Sequence, residues 1–405
     1  MLADNRVPSV HTASQPAVPA LPLHEEGAMG HFRDSRDVIA NLGPDYPLYC
    51  FSPRELKRRI NEFQVGFPGD VGFAVKANAA EVVLRAIAAA GVKVFDVASL
   101  DEIRRIRAIA PEAELLYDNP VKSPAEIREA YEVHGVRSFA IDDCEEFDKL
   151  RAVVGTDPQV QISVRFKLPG SHAVHNLSRK FGATEPEATM LLRRVALTGY
   201  QPALTFHPGS QCTNPMAYAE HIAAAARIRQ KAAVAITMLN VGGGFPAPYL
   251  DEAVPPLSSY FRAIDSAFRA NFIRSECRLV CEPGRALVAT SASLLCQVKH
   301  RRKGHTLFLN DGIYGGFMEQ FVTTMTLPNR VYRGTDPLRG PTAEFEVFGP
   351  TCDSTDCFTL PLRLPEDIAQ GDWIEFGLMG AYGSVTSTRF NGFSSDRYVL
   401  VDNGF

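Results

Sequence analysis

From about residue 46, apolar residues come in short runs of strand type. Each run is followed by a stretch in which they return every three or four positions. The runs are GFAVKA (72–77), VKVFDVA (92–98), ELLYDNP (114–120), RSFAID (137–142), QISVRFK (161–167), ALTFHPG (203–209), MLNVGGG (238–244) and RLVCEPG (278–284). Between them lie segments of helical period such as EVVLRAIAAAG, LDEIRRIRAIA, PAEIREAYEVHG and MAYAEHIAAAARIRQKAA. Ser52-Pro53-Arg54-Glu55 spells a capping box with proline at the first helical position, which predicts a helix from there to about Phe67. Ser123-Pro124-Ala125-Glu126 repeats the device. Strand–helix units in succession predict a parallel sheet. Eight such strands within about 210 residues favour an α/β (β/α)8 TIM-type barrel over an open doubly wound sheet.

Past Arg285 the rhythm changes. LVATSASLLCQVKH, HTLFLNDG, AEFEVFG, GDWIEFG and RYVLVDNG are short strand patterns broken by Gly and Pro, without a long helical period. They predict a C-terminal antiparallel β domain. The expected organisation is therefore a flexible tail over 1–27, a barrel over 46–285 and a β domain over 286–405, with residues 28–45 open to joining the last.

Composition narrows the function. The 405 residues are 45% hydrophobic and 22% charged with a net charge of −4, an ordinary globular balance without the basic footprint of a nucleic-acid binder. No apolar run approaches the ~20 residues of a membrane span. The first 27 residues lack the apolar core of a secretory signal, so the eight scattered cysteines read as free thiols of a reducing cytoplasm. Cys277-x3-Cys281 and Cys352-x4-Cys357 are not zinc spacings, and no metal is expected.

In a barrel the chemistry belongs at the C-terminal ends of the strands. There stand Lys76, Asp96, Arg165, His207, the run Gly242-Gly243-Gly244, Glu282 and Arg285. Each has a bland reading. The glycines could make only a tight turn, Glu282 and Arg285 only an ion pair, and His207 could be a satisfied core histidine. Together they suit a phosphorylated aldehyde cofactor. A lysine among Phe73, Ala74 and Val75 can have a depressed pKa and form a Schiff base. A carboxylate can keep a ring nitrogen protonated, and glycine amides with an arginine can hold a phosphate. No G-x-G-x-x-G occurs, which counts against a dinucleotide enzyme.

In order, FAVKANA, FDVAS, SRKFG, FHPGSQ, GGGFP, EPGR, NDGIYGGF, GPTCDSTD, MGAYG and FNGF resemble the motifs of the pyridoxal-phosphate ornithine/diaminopimelate/arginine decarboxylases, over roughly residues 45–400. The resemblance implies an alanine-racemase-like barrel, pyridoxal 5'-phosphate as cofactor, and a head-to-tail homodimer with shared active sites. It makes Lys76 the Schiff-base lysine, Glu282 the partner of the ring nitrogen and His207 the stacking ring. Ser210, Gly244, Gly284, Arg285 and Tyr382 become phosphate ligands, with Asp96, Arg165 and Lys180 in support. Cys352 would enter from the second subunit to protonate the carbanion, with Asp353 binding the distal amine and Phe390 lining the substrate channel.

Asp353, where diaminopimelate enzymes carry Glu, argues for a simple distal ammonium. The implied reaction is decarboxylation of L-ornithine to putrescine and carbon dioxide. One departure weakens chain-length selectivity: where animal relatives carry a Tyr-Asp pair for the substrate amine, this chain has Val322-Thr323, leaving Thr323 as the substrate-side candidate. Lysine, both diamines' precursors together, arginine or another diamino acid remain alternative substrates. A non-catalytic homologue that binds a partner is the alternative of another class, against which the intact Lys76, Glu282, Arg285 and Cys352 argue.

Overall fold

The computed structural model describes residues 28–169, 173–175, 180–250, 253–323 and 325–405. The expected N-terminal tail lies outside them. Eight strands, β1 (Asp70–Ala74), β2 (Val94–Val97), β3 (Glu114–Tyr117), β4 (Ser138–Ile141), β5 (Gln161–Arg165), β6 (Gln201–Thr205), β7 (Met238–Asn240) and β8 (Arg278–Cys281), pair in parallel and in chain order. The ring closes where Val280 and Cys281 of β8 pair with Asp70 and Val71 of β1. The predicted barrel is present, strand for strand.

Alternation along each strand sorts the residues. Val94, Leu116, Ala203, Met238 and Val280 form a small buried cluster of their own, the filling of the barrel. Their chain neighbours Phe95, Tyr117, Leu204, Leu239 and Leu279 belong to the large core against the surrounding helices. Helix starts follow the sequence signals. Pro53–Gly66 begins after Ser52, whose side chain accepts the Glu55 amide. The reciprocal half of that box is missing, because the Glu55 carboxylate is taken by Arg58. In Pro124–Glu132 both halves are made by Ser123 and Glu126.

The second sheet draws on both ends of the chain. Ala292–Arg302 pairs antiparallel with Thr306–Leu309, with Trp373–Phe376 and with Leu48–Phe51. Leu48–Phe51, which the sequence pattern places at the start of the barrel segment, thus sits in this sheet, every residue buried. His31–Phe32 adds to its edge beside Leu400–Val401. The sheet is not purely antiparallel. Tyr49–Phe51 runs parallel to Tyr398–Leu400 and Thr306–Phe308 to Glu346–Phe348, pairs joined by long excursions rather than hairpins. The first part of the predicted strand LVATSAS is instead a helical turn, Arg285–Val288 then Ala289–Ser291, which carries the chain from the barrel rim to the sheet. No described helix is long and apolar enough to cross a membrane.

Candidate active site

The alternation that fills the barrel also builds its rim. Asp96 stands two residues after Val94, Asp118 two after Leu116, Asn240 two after Met238 and Glu282 two after Val280. Each therefore faces inward one layer above the filling. Arg165 ends β5, while Lys76 stands in the 3-10 turn Val75–Ala77 just after β1 and His207 just beyond β6.

Lys76 Nζ lies 2.6 Å from Asp96 Oδ2, an ion pair between the ends of adjacent strands. Burial pulls the ammonium toward losing its proton, but Asp96, then Tyr382 and Glu282, outweigh it, and its pKa stands raised. This corrects the expectation of a depressed pKa. The apolar neighbours in sequence are there, but the governing charge comes from the next strand. Glu282, 5% exposed, is pushed well above the usual carboxylate range by burial and then by Asp118 and Asp96. His207 is held neutral by burial and by the charges of Arg165 and Lys76, and its Nδ1 accepts the Gly209 amide. The ring proton therefore sits on Nε2.

Around the opening lie the glycines. Gly244 has φ +92° and a Cβ there would come within 2.4 Å of the Gly209 carbonyl, so only glycine fits. A Cβ on Gly284 would strike Ala77 at 2.8 Å. Ser210 opens the short strand Ser210–Cys212 just after His207. Arg285, 4% exposed, donates from Nη1 to Tyr249 Oη and Glu319 Oε2 (2.7 Å each) and from Nη2 to Glu319 Oε1 (2.5 Å). The Tyr382 ring lies against its guanidinium, 4.7 Å from ring centre to carbon. Tyr382 itself has φ +55° and its amide donates to the Ala77 carbonyl, which ties the β domain to the turn that carries Lys76.

A second cluster lies on the β domain. Asp356, 1% exposed, accepts the amides of Ile313 and Thr351, and a Cβ on Gly349 would fall 2.2 Å from its oxygen. The loop Gly349–Asp353 is shaped around that carboxylate. It presents Cys352, exposed, with Sγ and backbone amide both on Asn391 Oδ1 (3.2 and 3.1 Å). Asp353 accepts the Tyr314 hydroxyl at 2.8 Å and the Thr355 amide at 2.9 Å. These bonds, the Thr355 amide first, hold its carboxyl below the usual range. The Phe390 ring lies tilted against Tyr314, 4.9 Å between ring centres, and is 41% exposed. Among the described residues, no hydrogen bond or ion pair joins this cluster to the Lys76 cluster.

Of the residues expected at the strand ends, Asp96, Arg165 and Glu282 lie at or just past β2, β5 and β8, with Lys76, His207 and Gly244 in the turns after β1, β6 and β7. Gly284 precedes Arg285, whose guanidinium the Tyr382 ring faces. Lys180 and Arg165 flank the Phe181 ring at 4.7 and 5.4 Å. Thr323 is buried with its hydroxyl engaged at its own helix end, donating to the Glu319 carbonyl. Asp118, Asn240, Tyr249, Glu319, Tyr314 and Asn391 were not singled out. For Asp118 and Asn240 the signal existed, since both are polar residues at the C-terminal end of a barrel strand.

A parallel barrel with a lysine, an acid and an anion cradle at its catalytic rim defines a cofactor-dependent lyase or isomerase of the barrel type. Residues 53–289 match the family model for the pyridoxal-binding domain of pyridoxal-dependent decarboxylases. The chain belongs to this family. It is 32% identical over 365 residues to a lysine/ornithine decarboxylase of Selenomonas ruminantium, covering 88% of this chain and 87% of that one. It is 29% identical over 390 residues to an ornithine decarboxylase of Panagrellus redivivus, covering 89% and 87%. Among solved structures, the Paramecium bursaria Chlorella virus arginine decarboxylase bound to agmatine superposes with a TM-score of 0.81 at 27% identity, over 91% of this chain and 98% of that one. The protein is a pyridoxal-phosphate-dependent decarboxylase.

The rim suits that cofactor on its own terms. Of the five guanidinium hydrogens of Arg285, three are engaged at Tyr249 and Glu319. Nε is buried without a partner, so the Nε–Nη2 edge remains as one two-pronged donor for an anion. With the glycine cradle it would receive a phosphate, Lys76 would receive the carbonyl, and Glu282 would face a protonated ring nitrogen.

Proposed function

We propose that the protein decarboxylates an α-amino acid with a distal ammonium, L-ornithine before L-lysine, to the diamine and carbon dioxide. The observation that carries this reading is Asp353, a carboxylate kept anionic by Thr355 and Tyr314 beside the exposed Cys352 thiol. An anion set against a cation discriminates strongly against substrates that lack the charge. The ornithine and lysine/ornithine activities named for the relatives support the same class. L-arginine is the second reading, favoured by the agmatine-bound neighbour.

Bound pyridoxal phosphate supplies an electron sink for the pair of electrons left on the α-carbon when carbon dioxide departs. The chain's residues do the rest. Asp96 takes the proton that Lys76 Nζ must lose to become a nucleophile. Glu282 would accept a hydrogen bond from the protonated ring nitrogen, and His207 offers a neutral flat face. The Arg285 edge and the amides of Gly244 and Gly284 hold the phosphate, with Ser210 and Tyr382 beside them. Cys352 Sγ, aimed by Asn391, returns a proton to the α-carbon.

In this reading the Cys352 cluster reaches the rim from a second copy of the chain, in a homodimer. Exposed apolar residues stand close in sequence to Asn391, the partner of Cys352: Phe390 and Phe393. An exposed apolar pair of that kind suits a surface to be covered.

The test is carbon dioxide release by purified holoenzyme from L-ornithine, L-lysine, L-arginine and meso-diaminopimelate. Ornithine should lead and diaminopimelate should be inert. Preference for arginine would overturn the reading in favour of the second. A separate check concerns the anion edge. Arg285→Ala should weaken pyridoxal phosphate binding by ~2 kcal/mol, about 30-fold, in fluorescence titration of the apoprotein. Arg285→Lys, which keeps the charge but not the edge, should fall between. An unchanged dissociation constant for Arg285→Ala would remove Arg285 from the phosphate site.

A further inference from the structure

Beside Glu282, in the same inward layer, lies a second buried carboxylate that the proposed chemistry leaves unused. Asp118 follows β3 and is 7% exposed, and Asn240 ends β7 with no exposure. The Asn240 amide nitrogen donates to Glu282 Oε1 at 2.6 Å and to Asp118 Oδ2 at 3.0 Å. Its orientation is fixed, because Asn240 Oδ1 accepts the Gly242 amide at 2.8 Å. Both amide hydrogens are therefore spent on the two carboxylates. Asp118 Oδ1 is buried without a partner.

We propose that Asp118 is a positioning residue for Glu282: bridged to it by Asn240, it places a second negative charge at the rim and so strengthens the hold on the proton between Glu282 and the cofactor's ring nitrogen. The proposal rests on the assignment of Glu282 as the partner of that nitrogen.

The sign follows from the charges. Burial and then Asp96 raise the Asp118 carboxyl, while its hydrogen bond with Glu282 and the charges of Arg165 and Lys76 favour its anion. A buried anion beside a protonated group disfavours loss of the proton. The groups facing the pair are Lys76 just after β1, Asp96 on β2, Arg165 on β5 and the neutral His207 beyond β6. Lys122, behind Asp118, is buried on backbone carbonyls, and Asp142 beyond β4 accepts the Gly182 amide. Lys76 is already paired with Asp96. Asp96 also acts on Glu282, but among the described residues only Asp118 shares a hydrogen-bond donor with it.

The experiment uses holoenzyme loaded with pyridoxal phosphate labelled with 15N in the ring, followed by NMR across pH. Asp118→Asn keeps an oxygen to accept the Asn240 bond and removes only the charge. In this variant the ring nitrogen should lose its proton about one pH unit lower than in the wild type, a roughly tenfold drop in proton affinity. Asp118→Ala should shift it at least as far. Titrations that coincide, with or without a lowered melting temperature, would show a merely structural residue and overturn the proposal. A wild-type nitrogen already unprotonated at neutral pH would overturn the Glu282 assignment itself, and the proposal with it.

Discussion

Lys76→Ala is expected to abolish carbon dioxide release, by roughly 10³-fold or more at saturating substrate and cofactor. The residue is the one primary amine at the end of β1, and its partner Asp96 is 2.6 Å away and almost fully buried. The ammonium form is favoured in the folded protein, because Asp96, Tyr382 and Glu282 together overcome the effect of burial. Protonated nitrogen is not nucleophilic, so reaction requires the proton to pass to Asp96, and removing the amine leaves nothing that can attack a carbonyl at that place. A second measurement separates chemistry from folding. Borohydride treatment should fix the cofactor covalently to the wild-type chain and not to Lys76→Ala, as read by mass spectrometry. Residual fixation in the variant would mean that another lysine carries the chemistry, and the assignment of Lys76 would fall.

How far this site could be read from the sequence depends on what each residue answers to. The strands were legible because their burial follows a period of two, and the rim residues follow from the same period. Asp96 and Glu282 extend the inward register two residues past a filling residue. Asp118 and Asn240 obey that rule as well, but Asp118 sits in Tyr117-Asp118-Asn119-Pro120, which reads as a turn, and Asn240 sits in an apolar strand. Charge was less legible than position. The sequence shows Lys76 among Phe73, Ala74 and Val75, whereas its proton affinity is set by Asp96, twenty positions on and adjacent only once β1 and β2 pair. Glu319 is a similar case. It lies in the five-residue helix Met318–Val322, too short to announce itself, and it matters because Arg285 returns to meet it. The parallel pairings of the β domain were hidden for the same reason. Alternation identifies a strand but says nothing about the direction of its neighbour.

Cys352→Ala should lower decarboxylation by ~10³-fold, the scale of a lost proton donor. Mixing it with the inactive Lys76→Ala protein should nonetheless restore activity. In one chain the two residues belong to clusters that no described hydrogen bond or ion pair connects. Cys352 and Asp353 face outward on a loop shaped by Asp356, beside the exposed Phe390. If a two-fold partner brings that loop to the rim, a mixed dimer has one site that lacks both groups and one that lacks neither. Random exchange would make about half of the dimers mixed, each with a single intact site, and so recover about a quarter of wild-type activity. The recovery should fall on dilution as the dimers separate, and it should not appear when Lys76→Ala is mixed with Glu282→Ala, whose lesions share a rim. Verified exchange without recovery would place Cys352 in its own chain's site, and the loop would then have to reach Lys76 by a rearrangement within one subunit.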